Sequence, residues 1–251
     1  MKASNFINKN GLVDVEKYSA YMAGLRKRLL WRFIAELIFG ASVFIVLVFF
    51  FIASAPSCAQ EVPQSAAAYK RTLIRSAHGH WGLDAPVSLF AAQIHQESGW
   101  RIDARSPAGA EGLAQFMPAT SEWFSTLHPR DLTTAQPYNP AWAMRALVLY
   151  NQYLYRRVDA RDICQRWAFT LSAYNGGLGW VNRDKALAQA SGVDPLIWFD
   201  ATEDYNAGRG NAAFAENRHY PKAIIYRHQP LYVAAGWGTS VCGVGGNSAH
   251  F

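Results

Sequence analysis

The stretch AAQIHQESGW, residues 91–100, sets a single carboxylate, Glu97, at the end of an apolar and amide-rich run that a glycine then closes. Pro86 suits the first turn of a helix, and Val87, Phe90, Ala91 and Ile94 follow at i, i+3, i+4 and i+7, which defines one buried stripe. At about 100° per residue, Glu97 lies seven positions after Phe90 and only about 20° from it around the helix. The acid therefore extends the apolar face, and His95 points away from it. A carboxyl held against apolar surface loses water, which disfavours its ionised form and raises its pKa. Such a group stays protonated near neutral pH and can give its proton to a leaving oxygen, the task of the acid in glycoside cleavage. A glutamate that reaches solvent or caps a neighbouring segment is the plainer alternative, and this helix alone leaves both open.

The elements that must hold Glu97 are helical. AAAYKRTLIRSAHGHWG, PVSLFAAQIHQES, PAWAMRALVLYNQYLYRRV, ICQRWAFTLSAYN and AENRHYPKAIIYRHQ each carry apolar residues near helical spacing, and alternating strand patterns are scarce. With 17% charged residues in 251, the composition is that of a folded chain with one core-bearing domain and appendages. The net charge of +6 is uneven, since residues 1–36 carry seven Lys/Arg against three acids. Only +2 is left for the remainder, so nucleic acid is not expected as a partner.

Residues 37–55, LIFGASVFIVLVFFFIASA, contain no charge, and a helix of this length spans a hydrocarbon core of roughly 30 Å. Arg26, Lys27, Arg28 and Arg32 precede it and the next charge after it is Glu61, so the positive-inside bias places the N-terminus in the cytoplasm and exports the rest. A cleaved signal ending in Ser57-Cys58-Ala59 competes with a retained anchor; the long pre-region and the full-length apolar stretch favour the anchor. The expected organisation is a cytoplasmic segment 1–36, a transmembrane helix 37–55, a linker 56–65, a domain 66–232 and a Gly-rich tail 233–251. Of the three cysteines, Cys164 and Cys242 lie in the exported part, where either a disulfide or two free thiols fits the sequence.

Downstream of Glu97, GWRIDARSPAGAEGLAQFMPAT (99–120) resembles the lytic transglycosylases of the soluble-transglycosylase type, a lysozyme-like family that cuts peptidoglycan glycan strands. The resemblance is carried by Glu97-Ser98, Ser106, Gly109-Ala110, Gly112-Leu113-Ala114-Gln115 and Met117-Pro118, then by AYNGG (173–177) and ENRHYPKAI (216–224), all in family order. Ala114 stands where the family usually has Met, and residues 191–217 form a longer connection than the minimal family version, similar to phage-encoded and conjugation-related members.

The resemblance implies a mainly α, lysozyme-like domain after a single transmembrane helix. It implies Glu97 as general acid and then base, with Ser106, Gln115, Tyr174, Asn175 and Tyr220 as residues that bind sugar groups or orient Glu97. One acid suffices in this family because the substrate supplies its own nucleophile, the muramyl C6 hydroxyl. No cofactor is implied. The expected partners are peptidoglycan strands, the inner membrane through one helix, and a secretion, conjugation or phage machine. A hydrolytic muramidase of goose-type lysozyme fold, or a wall-binding component without turnover, is the alternative. A hydrolase would want further acids, of which Asp103 and Glu111 are nearest in sequence and read as solvated loop residues. His78 and His80 lack partners at ligand spacing, so no metal is expected, and no glycine-rich loop joins a strand to a helix.

Overall fold

A computed structural model describes residues 61–243, together with Gly24, Arg26 and Lys27. The chain divides between Ala59 and Gln60. The apolar stretch 37–55, and with it the expected membrane anchor, lies outside the described residues; among the described ones, no helix is long and apolar enough to cross a membrane.

The second unit is helical: α1 (Gln64–Trp81), α2 (Val87–Ser98), α3 (Pro118–Leu127), α4 (Pro140–Tyr155), α5 (Ile163–Gly176), α6 (Leu178–Ala190), α7 (Asn211–Lys222) and α8 (Gln229–Ala234). A 3-10 turn occupies Thr202–Asp204 and a π turn Ala223–His228. Local chemistry sets several starts. Pro118 and Pro140 occupy first-turn positions, where a missing N–H costs nothing. Asn139 accepts from the amides of Ala141 and Trp142, and Asp162 accepts from that of Gln165, so α4 and α5 begin on side-chain caps. In α7, Pro221 cannot donate a backbone hydrogen bond, and the chain continues into the π turn.

The core forms around α2. Val87 to Ile94 are all buried, including Ser88 and Gln93, so this helix is enclosed on every side rather than along the single stripe that spacing predicts. A helix without a polar face belongs inside. His95 consequently does not point to solvent: it is half-buried, its ring 4.3 Å from that of His228, with Nδ1 3.1 Å from the Tyr232 hydroxyl. Burial, followed by the Arg227 charge, holds its pKa below the usual histidine value. α1 packs on α4, α5 on α7, and α8 with the π turn on α2.

The domain extends beyond residue 232. Trp237 is buried against Trp100 and Tyr232, Ser88 donates to the Thr239 carbonyl at 2.7 Å, and Cys242 is disulfide-bonded to Cys164. The glycine content of this segment reads as a tail because it masks one aromatic and one cysteine that bind it to the core. The two thiols are thus paired, their Cα atoms 4.8 Å apart, and the bond ties the start of α5 to the C-terminal segment.

Candidate active site

Glu97 occupies the last turn of α2, and Gly99 at φ 59° ends the helix in the left-handed region that glycine accepts without penalty. Ser98 donates to the Leu113 carbonyl at 3.0 Å, fastening the following loop back onto the helix end. The loop folds on itself through bridges pairing Arg105 with Glu111 and Glu111 with Phe116. Gly112 (φ 72°) is required sterically as well as conformationally: a Cβ there would meet the Pro137 carbonyl oxygen at 1.8 Å. Gln115, a non-glycine residue at φ 48°, is held in this sparsely populated conformation by its own side chain, whose amide donates to the carbonyls of Gly112 at 2.8 Å and Ala104 at 3.2 Å.

Tyr220 of α7 donates its hydroxyl hydrogen bond to Glu97 Oε1. The tyrosine is fixed by a buried relay in which Asn151 Nδ2 donates to Gln93 Oε1 at 2.7 Å and Gln93 Nε2 donates to Tyr220 Oη at 3.2 Å. Three helices, α2, α4 and α7, therefore converge on one carboxyl. Glu97 as a residue keeps some accessible surface, but its carboxyl is enclosed by protein, and that desolvation raises its pKa to about 8. The Tyr220 hydrogen bond pulls the other way by favouring the carboxylate, and the charge of Glu216 adds to the upward shift. The acid is thereby protonated at neutral pH with its proton aligned by a fixed tyrosine.

The other expected site residues separate into two groups. Tyr174, at the end of α5, is largely buried between the rings of Phe116 and Tyr150 and donates to the Ala114 carbonyl at 2.8 Å. Burial, then the charge of Glu97, pushes its hydroxyl pKa well up, which places it next to the acid as a neutral group. Asn175 donates to Glu216 at 3.1 Å and accepts from Asn217 at 2.9 Å. Tyr174, Asn175 and Tyr220 are thus gathered around Glu97 and Glu216. Ser106 and Gln115 are committed to the loop: Ser106 Oγ accepts from the Ala110 amide at 2.9 Å, closing a turn, and the Gln115 amide nitrogen is spent on main-chain carbonyls. In this structure both shape the loop, and any contact they make with substrate comes from the groups left over. Ala114, the departure from the family's Met, is wholly buried and contributes a carbonyl rather than a wall.

Sequence reasoning missed Glu216. Asp103 is exposed and Glu111 is drawn to the Tyr138 hydroxyl, whereas the carboxylate whose field reaches Glu97 is Glu216, exposed on α7 and held by Asn175. Its position four residues before Tyr220, on the same helix face, was the available signal. Among the described residues no group of three His, Cys, Asp or Glu could hold a metal.

The consequence of the relay is testable. Tyr220→Phe removes the interaction that favours ionised Glu97, so the alkaline limb of the pH–rate profile moves to higher pH while the rate falls about 10- to 100-fold from loss of alignment. A profile measured over pH 5–10 reads both; a limb that moves to lower pH contradicts the assignment.

A helix sheathed on all sides thus delivers one protonated carboxyl to a turn-rich loop. Residues 73–197 match the transglycosylase SLT domain family. Curated relatives include proteins named membrane-bound lytic murein transglycosylase F from Shewanella pealeana, 35% identical over 44% of this chain and 22% of that protein, and from Pasteurella multocida, 32% identical over 58% and 32%. The chain thus matches less than a third of these relatives' length. Among solved structures, an inactive variant of the lytic transglycosylase Slt from Pseudomonas aeruginosa superposes with a TM-score of 0.53 at 23% identity, covering 70% of this chain and 26% of that one, which supports the fold.

Proposed function

We propose that the protein is a peptidoglycan lytic transglycosylase in which Glu97 acts first as acid and then as base. The observation that carries this is the enclosed, protonated carboxyl of Glu97 under Tyr220. Glu97 transfers its proton to the oxygen linking C1 of N-acetylmuramic acid to N-acetylglucosamine, and the C1–O bond breaks with its electrons leaving on that oxygen. The muramyl C6 hydroxyl then bonds to C1 and gives its proton to the Glu97 carboxylate, which regenerates the acid. The ring closure is intramolecular, so orientation replaces a second catalytic group. Tyr174 and Asn175, with Tyr220, line the region where a sugar meets the acid. The product is a 1,6-anhydromuramyl end, and no water is consumed.

The hydrolytic alternative needs a second carboxylate beside the cleaved bond, and Glu216 is the residue on which it would fall. Digestion of purified sacculi by the full-length chain, with mass spectrometry of the fragments, separates the two. Anhydro ends support the transglycosylase, including from Glu216→Gln; reducing ends that vanish in Glu216→Gln overturn it. The apolar stretch 37–55 and relatives named as membrane-bound support an inner-membrane anchor with the catalytic domain in the periplasm, where cutting serves a secretion, conjugation or phage machine. Fractionation of the mature protein with the membrane tests this placement, and a freely soluble mature chain contradicts it.

A further inference from the structure

Beside the surroundings of Glu97 lies a pocket of about 260 Å³, lined by Asn175, Trp180, Gly208, Arg209, Ala213 and Glu216. Its floor is a buried charge cluster. Asp184, wholly buried on α6, accepts from Arg209 Nη1 and from Arg218 Nη2, the latter at 2.8 Å, and its other oxygen accepts from the Ala207 amide at 3.0 Å. Glu203, which also acts on Arg218, has its own cation in Lys222 at 2.9 Å. The cluster of Asp184, Arg209 and Arg218 therefore carries two cations against one anion, removed from water. A buried charge without an opposite charge is costly, so the surplus calls for an anion.

The geometry says where. Arg209 is 7% exposed, and with Nη1 given to Asp184, its Nε and Nη2 are buried without a hydrogen-bond partner among the described residues. These two N–H groups form one edge of the guanidinium, the parallel fork that grips a carboxylate with two bonds. Arg209 lies over the ring of Trp180, whose centre is 5.2 Å from Cζ. Gly176 keeps a side chain away from this edge; a Cβ there would sit 3.7 Å from Nε. The first turn of α7 opens beside Arg209 with Gly210 at its cap and no side-chain cap, which adds unpaired amides to the same end. Glu216 at the rim is exposed, and its charge is screened by solvent, whereas that of Arg209 is not.

We propose that this pocket binds a carboxylate of the substrate, through the free edge of Arg209, and so selects which strands are cut. The inference rests on the glycan-cleaving reading of Glu97. Asn175 lines the pocket and is adjacent in sequence to Tyr174, which senses the Glu97 charge, so a ligand here lies beside a sugar held at the acid. Peptidoglycan offers two sources of the same chemistry: the peptide stem, and the lactyl group once the stem is removed.

The test measures kcat/KM on stem-bearing and stem-free glycan strands, each with carboxylates free or converted to amides. The full-length protein is expected to cut strands with free carboxylates at least tenfold faster than their amidated forms. A preference confined to stem-bearing strands identifies the stem; one present in stem-free strands identifies the lactyl group. Arg209→Met leaves Asp184 paired with Arg218 and the cluster neutral, and Ala213→Trp fills the pocket without touching the ion pairs. Both variants should bring the ratio within twofold by slowing cleavage of the free-carboxylate strands alone. Equal rates on all four substrates, or a ratio unchanged in both variants, overturns the proposal and leaves Glu97 intact. Cleavage of none of them overturns the catalytic reading and this one together.

Discussion

Glu97→Gln is expected to lower turnover on peptidoglycan by about 10³- to 10⁴-fold, the upper part of the range for one acid–base group, because the same carboxyl serves both proton transfers. Glutamine keeps the size of the side chain and still accepts from Tyr220, so the loss reports chemistry rather than packing. A second effect follows from the raised pKa and distinguishes a desolvated acid from an ordinary one. A carboxyl whose pKa is about 8 when folded and about 4.5 when unfolded binds its proton more tightly in the folded state. Stability is therefore highest at low pH and falls as pH rises through that window. Wild type and variant should unfold alike near pH 5 and diverge above it, with the variant more stable by about 4–5 kcal/mol at pH 8.5. Paired thermal melts across pH 5–8.5 measure this; a variant less stable than wild type at pH 8.5 contradicts it.

Asp184→Asn is expected to produce the largest loss of stability. The substitution preserves shape but takes away the carboxylate shared by the guanidinium groups of Arg209 and Arg218, both at least nine-tenths buried. Breaking a buried ionic group in this way costs about 3–5 kcal/mol, which for a domain of this size lowers Tm by roughly 10 °C. Calorimetry reads it directly, and a Tm within about 2 °C of wild type would mean that solvent reaches the cluster. Arg209→Met, which removes one of the two cations instead of the carboxylate they share, should cost much less.

These two sites differ in how far the sequence reveals them. Glu97 is legible because helical arithmetic places it against Phe90, and a helix end followed by a Gly-rich loop is a local pattern. Tyr174, Asn175 and Tyr220 come with it through ordered motifs. Glu216 is not legible, since an acid on an exposed helix position is ordinary until Asn175 and Glu97 are seen beside it. The Asp184 cluster is invisible because its members are 25 and 34 positions apart in the chain and meet only once the fold brings α6, α7 and the segment before α7 together. α6 itself, LGWVNRDKALAQA, has only Val181, Asp184 and Ala188 buried, too thin a stripe to announce a helix. Ser106 and Gln115 show the opposite failure: their types suggest ligand contacts, but loops consume polar side chains to close their own turns.

The most direct test of the central claim is the titration of the Glu97 carboxyl itself, followed by NMR in protein carrying ¹³C-labelled glutamate, with the Glu97→Gln spectrum assigning the signal. The expected midpoint lies near pH 8 and coincides with the alkaline limb of glycan cleavage. A midpoint near the ordinary glutamate value, with activity persisting above it, would contradict it.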